Sequence, residues 1–322
     1  MSEPGLAVSV VIPAYKRPEL LRQAVLSVLA QDFASARFEV IVVDSSPDES
    51  NLRMLQQLKG HAHAPLHVVR KAPEGPGPSR VLGAERARGA VIAFMDSDCR
   101  ATPDWLTEGF AAFADGIGIV QGRTLPDPEQ PLGVLCRYVQ IEAENPRYEG
   151  ANIFFRRESL ADTGAPKCDM TPHDERPTGG EDALLAWQVK RRGWKSTFAA
   201  DALVYHEVMK ISLWRWFYEK RMFMLPWLAR EIPEMRGEFF LGVFLDRAHA
   251  SLALLLVGCA LSPASALWLL LSVPYFLVRT SEATRSLRGA KRLARPLVYL
   301  PRDLLAFALL AVGSVRHRRL LL

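Results

Sequence analysis

Cysteine is scarce in this chain: Cys99, Cys136, Cys168 and Cys259 are its four, and no two stand at a C-x-x-C spacing. A disulfide framework or a cysteine-rich zinc site is thereby excluded, and a reducing cytoplasm is the expected compartment. The opening residues Met1-Ser2-Glu3-Pro4-Gly5 lack a basic segment followed by an apolar one, so no signal peptide is expected. No internal repeat is visible. Glycine is missing from Pro13-Ala14-Tyr15-Lys16-Arg17, the loop after the first predicted strand. A sugar nucleotidyltransferase or a dinucleotide-dependent dehydrogenase would want a glycine-rich loop there, which argues against both. Charge is absent from Ala250 to Val278.

What is present is a chain of 322 residues, 49% hydrophobic, with a net charge of +5. That allows one large domain, or one domain and an appendage, with ample material for a core. Up to about Val208 apolar and polar positions mix as in a soluble domain; beyond it Leu, Trp and Phe accumulate between arginine clusters. The shift sets the expected boundary, with domains at 1–208 and 209–322. The basic balance attracts an anionic partner. No nucleic-acid recognition motif is present, and the basic residues flank apolar stretches, which suits an anionic membrane surface.

Along the first hundred residues, strands and helices alternate. Val8-Ser9-Val10-Val11-Ile12 reads as a buried strand ended by Pro13, and Pro18 opens a helix through Leu21, Ala24, Val25 and Val28. Phe38 to Val43 is a second strand, stopped by Asp44. A helix over Leu52–Leu58, a strand at Leu66–Val69, a Gly/Pro loop from Glu74 to Pro78 and a helix over Ser79–Arg88 follow. A fourth strand, Ala90–Met95, delivers Asp96-Ser97-Asp98 at its end. Apolar strands between helices predict a parallel sheet covered on both faces, whose ligands bind beyond the strands' carboxyl ends. Pro13-Ala14-Tyr15, Asp44 and Asp96-Ser97-Asp98 would all lie at that edge. By contrast, His61, His63 and His67 fit no zinc spacing and read as a loop before a strand.

The Asp-x-Asp triplet points to a cation. Neighbours one apart on extended chain face opposite sides, so one aspartate would face the metal and the other a ribose or a metal-bound water. Hard oxygen ligands suit Mg²⁺ or Mn²⁺ beside a diphosphate.

The segments VSVVIPAYKRPELLRQAVLSVLAQ, EVIVVDSS, GPGPSRVLGAERARGAVIAFMDSDC, EGANIFFRRESL and GGEDALLAWQVKRRGW, in this order, resemble the inverting family-2 glycosyltransferases. The resemblance covers roughly residues 7 to 207. It implies an α/β fold of the GT-A type, Rossmann-like, with a mostly parallel sheet flanked by helices, plus an α-helical, membrane-associated C-terminal region. It further implies a nucleotide-diphospho-sugar donor and a Mn²⁺ or Mg²⁺ cofactor; the membrane attachment read from the C-terminal composition, not the resemblance, points to a glycan or lipid-linked acceptor at the cytoplasmic side of the cell membrane. Pro13, Tyr15 and Arg17 would line the nucleotide pocket, Asp44 would bond the base or ribose, and Arg80 would lie near the diphosphate or brace Asp96. Asp96 would face the nucleotide, Asp98 would bind the metal with His206, and Asp182, after Glu181, would be the catalytic base. Its place at a helix start favours the ionised form through the helix dipole. The loop from Pro166 to Thr178 is expected to close over substrates. A Q-x-x-R-W motif is replaced by Ser212-Leu213-Trp214-Arg215-Trp216, which argues against processive synthesis. An inactive scaffold is the alternative outside the enzymes; the intact acidic set argues against it.

For the C-terminal third, Arg230, Arg236 and Arg247 precede the charge-free stretch and Arg285 and Arg288 follow it. Both flanks then belong on one membrane face, and Ser262-Pro263 divides arms too short to cross, so a re-entrant or in-plane hairpin is expected. Leu304 to Val315 also reads as too short to cross. Trp214, Trp216, Phe217 and Tyr218 are an aromatic group that either faces an acceptor or packs on the fold.

Overall fold

A computed structural model describes residues 5–133, 135–161, 180–217, 220–281 and 290–322. The expected closing loop, Pro166 to Thr178, lies outside the described residues, as do Cys168, Tyr218, Arg285 and Arg288. The chain divides into two compact units, Met1–Lys210 and Ile211–Leu322.

In the first unit the elements run β1 (Val8–Ala14), α1 (Pro18–Leu29), β2 (Phe38–Asp44), α2 (Ser50–Lys59), β3 (Leu66–Arg70), α3 (Pro76–Arg86), β4 (Val91–Met95) and β5 (Cys99–Ala101). Then come α4 (Trp105–Ala111), β6 (Ile117–Pro126), β7 (Cys136–Arg137), β8 (Asn152–Arg156), α5 (Arg157–Ala161), α6 (Glu181–Arg191), β9 (Lys195–His206) and β10 (Met209–Lys210). Eight strands form one sheet in the order β3-β2-β1-β4-β8-β6-β9-β5; β7 and β10 make a separate pair.

The parallel half, β3-β2-β1-β4, follows the expectation, with Ala14 level with Asp44 and Val11 level with Phe94. Alternate strand residues bury on opposite faces. Val10, Ile12, Val40, Val42 and Ala93 pack with Leu21, Val25 and Trp105, while Val11, Ile41, Ile92 and Phe94 pack with Leu185, Ala186 and Val189. Both faces are therefore covered, the period-two consequence of strands without a polar side. Gly83 lets α3 lie against β1, since a Cβ there would stand 2.3 Å from Val11 Cγ1.

Two expectations need correction. Pro13 does not end the first strand: β1 runs to Ala14, with Pro13 level with Val43. The β4 ladder stops at Val11, so that edge of β1 is free at residue 13, where a missing N–H is tolerated. The third helix starts at Pro76 rather than Ser79, because prolines without an N–H suit a first helical turn. As expected, the sheet is mostly parallel; β8 runs antiparallel to both β4 and β6, and β5 antiparallel to β9.

The second unit is helical: α7 (Leu213–Phe217), α8 (Leu225–Glu231), α9 (Arg247–Leu261), α10 (Val273–Ser281) and α11 (Ala290–His317), with a 3-10 segment at Ala266–Ser272. The stretch 247–281 turns back on itself at 262–265, a helical hairpin. The reading of the last apolar run as too short is corrected. Leu293–His317 is one helix of 25 residues, by length and composition able to cross a membrane, and 22% of its most apolar window is buried. Arg302 and Asp303 interrupt the apolar text but not the helix. Asp303 is buried and takes two 2.7 Å hydrogen bonds from Arg279 Nε and Nη2, so its charge is met from the side.

Candidate functional site

The site gathers where β1, β2 and β4 end. Lys16 and Arg17 follow β1 with φ of 58° and 54°, left-handed backbone that turns the chain sharply into α1. Tyr15 is 49% exposed at this corner, with Pro13 buried behind it. Asp44 is fully buried: its Oδ1 accepts hydrogen bonds from the Ser46 N–H (3.1 Å), Ser46 Oγ (2.6 Å) and Asn51 Nδ2 (2.9 Å). Its Oδ2 has Arg70 Nε 3.5 Å away and no hydrogen-bond donor among the described residues. Ser46, Asn51 and Arg70 were not singled out from sequence. Side chains that brace one carboxylate from a following helix and a neighbouring strand carry no local signature.

Beyond β4 the chain turns, and Asp96 and Asp98 part company. Asp96 Oδ1 takes a 2.5 Å bond from Arg80 Nη2. Asp98 Oδ2 lies 3.3 Å from Arg17 Nη1, and its Oδ1 lies 3.6 Å from His206 Nε2. Asp98 is pushed above the usual carboxylate range by burial and by the Asp96 charge, with His206 and Arg17 pulling back. His206 ends β9, directly opposite Cys99 in the antiparallel β5–β9 pairing. Its Nδ1 is 2.7 Å from the Glu207 carbonyl oxygen, which can only accept. Nδ1 therefore donates to that carbonyl, and Nε2 is the ring nitrogen that faces Asp98.

Asp98, Cys99 and His206 offer donor atoms within 4.8 Å of one another, the one such cluster found among the described residues. A carboxylate beside a second acid, with an imidazole nitrogen 3.6 Å away, fits a divalent cation. Cys99 was not anticipated. Burial first, then Asp96 and Asp98, drive its thiol well above the ordinary range, so it stays neutral and is a poor partner for a hard ion. His61 and His63 are exposed, and His67 instead meets Glu39 at 3.3 Å.

Arg80 joins the two sides of the site. Buried on α3, it donates through Nη2 to Asp96 and through Nη1 to Asp182 Oδ1 (2.6 Å), with Glu181 Oε1 at 3.5 Å. Asp182 Oδ2 accepts the Gly150 N–H at 2.8 Å. The expectation that a helix start keeps Asp182 ionised is corrected. Burial raises its carboxyl from the ordinary 3.8 to about 7; Arg80 and the Gly150 N–H pull it down, while Glu181 and Asp96 push it up. Desolvation and two neighbouring acids outweigh the dipole.

Gly150 is the other residue that sequence reasoning passed over. A Cβ there would stand 2.6 Å from Arg80 Cζ and 2.7 Å from Nη2. The guanidinium lies flat on a backbone without a side chain, and three acids hold it there. Gly150→Ala is therefore expected to cost ~1–3 kcal/mol, as overpacking does, read by denaturant unfolding. Unchanged stability would mean that Arg80 slides aside freely.

A mixed sheet of this order, with acids at the carboxyl end of β4 and a histidine brought to them from β9, is similar in fold to the GT-A glycosyltransferases. The chain carries a Glycosyl transferase family 2 domain over residues 9–160. It is 24% identical over 209 residues to the glycosyltransferase AglE of Haloferax volcanii, covering 62% of this chain and 66% of that protein. It is 28% identical over 107 residues to the poly(ribitol-phosphate) beta-N-acetylglucosaminyltransferase TarS of Staphylococcus aureus, covering 33% of this chain and 18% of that protein. The chain thus spans less than two thirds of either relative. Among solved structures it is similar in fold to the mannosyltransferase PcManGT of Pyrobaculum calidifontis, in complex with GDP-Man and Mn²⁺. The TM-score is 0.58 at 16% identity, over 98% of this chain and 88% of that one.

Proposed function

We propose that this chain transfers a sugar from a nucleotide-diphospho-sugar to a hydroxyl of a glycan or lipid-linked acceptor, with inversion and with a divalent metal. The observation that carries the reading is the Arg80 fork. It ties Asp96, on the donor side, to Asp182, a carboxylate raised to about 7 and so poised to gain and lose a proton near neutrality.

The nucleotide would lie along the carboxyl ends of β1 and β2. There Tyr15 offers a ring face, and Asp44 Oδ2, which meets Arg70 at 3.5 Å and takes no hydrogen bond among the described residues, would accept from the base or ribose. Arg17, half-exposed and beside Asp98, faces the diphosphate. Asp98 and His206 would hold Mn²⁺ or Mg²⁺, which would supply neutralisation of the charge on the departing nucleoside diphosphate. Ionised Asp182 takes the acceptor hydroxyl proton as that oxygen attacks the anomeric carbon. The attack comes from the face opposite the departing diphosphate, so one C–O bond forms as the other breaks and the configuration inverts. The C-terminal helical region, 209–322, would attach the enzyme to the cytoplasmic face of the cell membrane. The hairpin at 247–281 and the apolar surface of α11 support that reading.

Thermal unfolding with nucleoside diphosphates and Mn²⁺ tests the proposal. A Mn²⁺-dependent rise on the order of 5 °C is expected with one nucleotide, as binding to the folded state requires, and Asp98→Ala should abolish it. No rise with any nucleoside diphosphate would overturn the reading.

A further inference from the structure

The loop that leads into β8 is fastened to α6 at three points. Gly150 gives its N–H to Asp182 Oδ2 at 2.8 Å. The Pro146 carbonyl accepts a 2.9 Å hydrogen bond from Trp187 Nε1, and the Tyr148 hydroxyl accepts one of 2.8 Å from Lys190 Nζ. The Tyr148 ring meets Trp187 edge-on at 6.2 Å, with the Lys190 ammonium 5.3 Å from its centre. One helix thus carries the candidate base at its start and, further along, the anchors of the loop that touches that base.

The anchor at Tyr148 is a closed polar ring. Lys190 Nζ donates both to the Tyr148 hydroxyl and to Ser196 Oγ (2.6 Å), which comes from β9. Both hydroxyls in turn donate to Glu144 Oε1. Each hydroxyl proton has a carboxylate to meet and each hydroxyl oxygen an ammonium to accept from, so the four groups fix one another. The tyrosine they hold is buried, and its backbone is left-handed, with φ of 44°. A bulky residue persists in that region only where its surroundings over-determine it. Packing against Trp187 would be served by phenylalanine; the hydroxyl and its partners fix where the ring sits. The turn at Tyr148 sets the course of the chain two residues on, where the Gly150 N–H meets Asp182 and the missing Cβ admits Arg80.

We propose that Tyr148 is a positioning residue for Asp182: locked by Glu144, Ser196 and Lys190, it aims the Gly150 N–H at the carboxylate. This rests on the reading of Asp182 as the base and adds what holds that base in place. Besides the N–H, Asp182 faces Arg80 from α3, Asp96 from the end of β4 and Glu181 beside it on α6. The N–H favours the ionised carboxylate, so a loosened loop lets Asp182 hold its proton more tightly.

The test needs no substrate. In the full chain labelled with ¹⁵N-glycine, the Gly150 amide signal, identified as the one that Gly150→Ala removes, is followed against pH. In the wild type it should titrate with a midpoint of about 7, and in Asp182→Asn it should not. Tyr148→Phe keeps the ring and should raise the midpoint by about 0.5–1 pH unit, the size of one hydrogen bond and an about three- to tenfold tighter hold on the proton. Ser196→Ala should raise it too, by less. Val25→Ala truncates the core on the other face of the sheet; it destabilises the unit but should leave the midpoint in place. An unmoved midpoint in Tyr148→Phe, or an equal rise in Val25→Ala, would overturn the positioning role and leave the base reading standing. A wild-type Gly150 signal that does not titrate near neutrality would remove the raised carboxyl on which both readings stand.

Discussion

Asp182→Asn is expected to lower kcat by about 10²–10⁴-fold while leaving the fold intact, because asparagine cannot accept the acceptor's proton. The replacement keeps one oxygen, for either Arg80 or the Gly150 N–H, and sets its NH2 against the other donor; that costs some stability, but circular dichroism should stay at the wild-type profile. The pH profile sharpens the test. A base must be deprotonated, and the Asp182 carboxyl is raised to about 7. Wild-type kcat/KM should therefore climb as pH rises through about 7 and level off above it. The residual rate of Asp182→Asn should not follow that rise. Stability runs the other way. A carboxyl that binds its proton more tightly when folded contributes stability that is complete below the ordinary 3.8 and is lost as pH rises through about 7. Asp182→Asn should flatten that slope. Retention of activity within a few-fold across the pH range would exclude Asp182 as the base.

Arg80→Met should be the most destabilising single change in the catalytic unit, by ~3–5 kcal/mol near neutral pH, since it strands a buried cluster of like charges. Asp96, Glu181 and Asp182 all lie within 3.5 Å of the Arg80 guanidinium, which is almost wholly buried. Without it, the Asp182 carboxyl loses the charge that pulls it down and would rise further above about 7, so the stability deficit should be smaller in acid and larger in alkali. Activity should fall as well, with its rise on the pH axis moved upward. Urea unfolding at two pH values separates the effects. A loss below ~1 kcal/mol at neutral pH, the size of an ordinary surface change, would refute the fork as a structural centre. Arg80→Lys should fall between, because an ammonium keeps the charge but cannot reach both sides at once.

Much of this site was legible in the text because it is local. A strand that buries both faces must be continuous and apolar, and a polar residue just after it must sit at the sheet's carboxyl edge. That logic placed Tyr15, Asp44, Asp96 and Asp98 on one rim. It failed where the determinant was remote. Nothing in Gly180-Glu181-Asp182 says that Arg80, a hundred residues earlier, would meet both acids, nor that burial would reverse the helix-dipole argument. Gly150 carries no signal at all until its missing Cβ is set against the Arg80 guanidinium.

The sequence by itself determined the parallel half of the sheet, the rim of acidic and aromatic residues, and a basic, apolar C-terminal region. Each follows from periodicity and composition over a few residues. Only the tertiary structure decided that β8 runs back antiparallel and that β9 carries His206 across to Asp98. It alone decided that Asp182 faces Asp96 through one arginine, and that α11 runs on as a single long helix with Asp303 buried against Arg279. Those contacts join residues far apart in the chain, and their energies depend on burial, which no local pattern records.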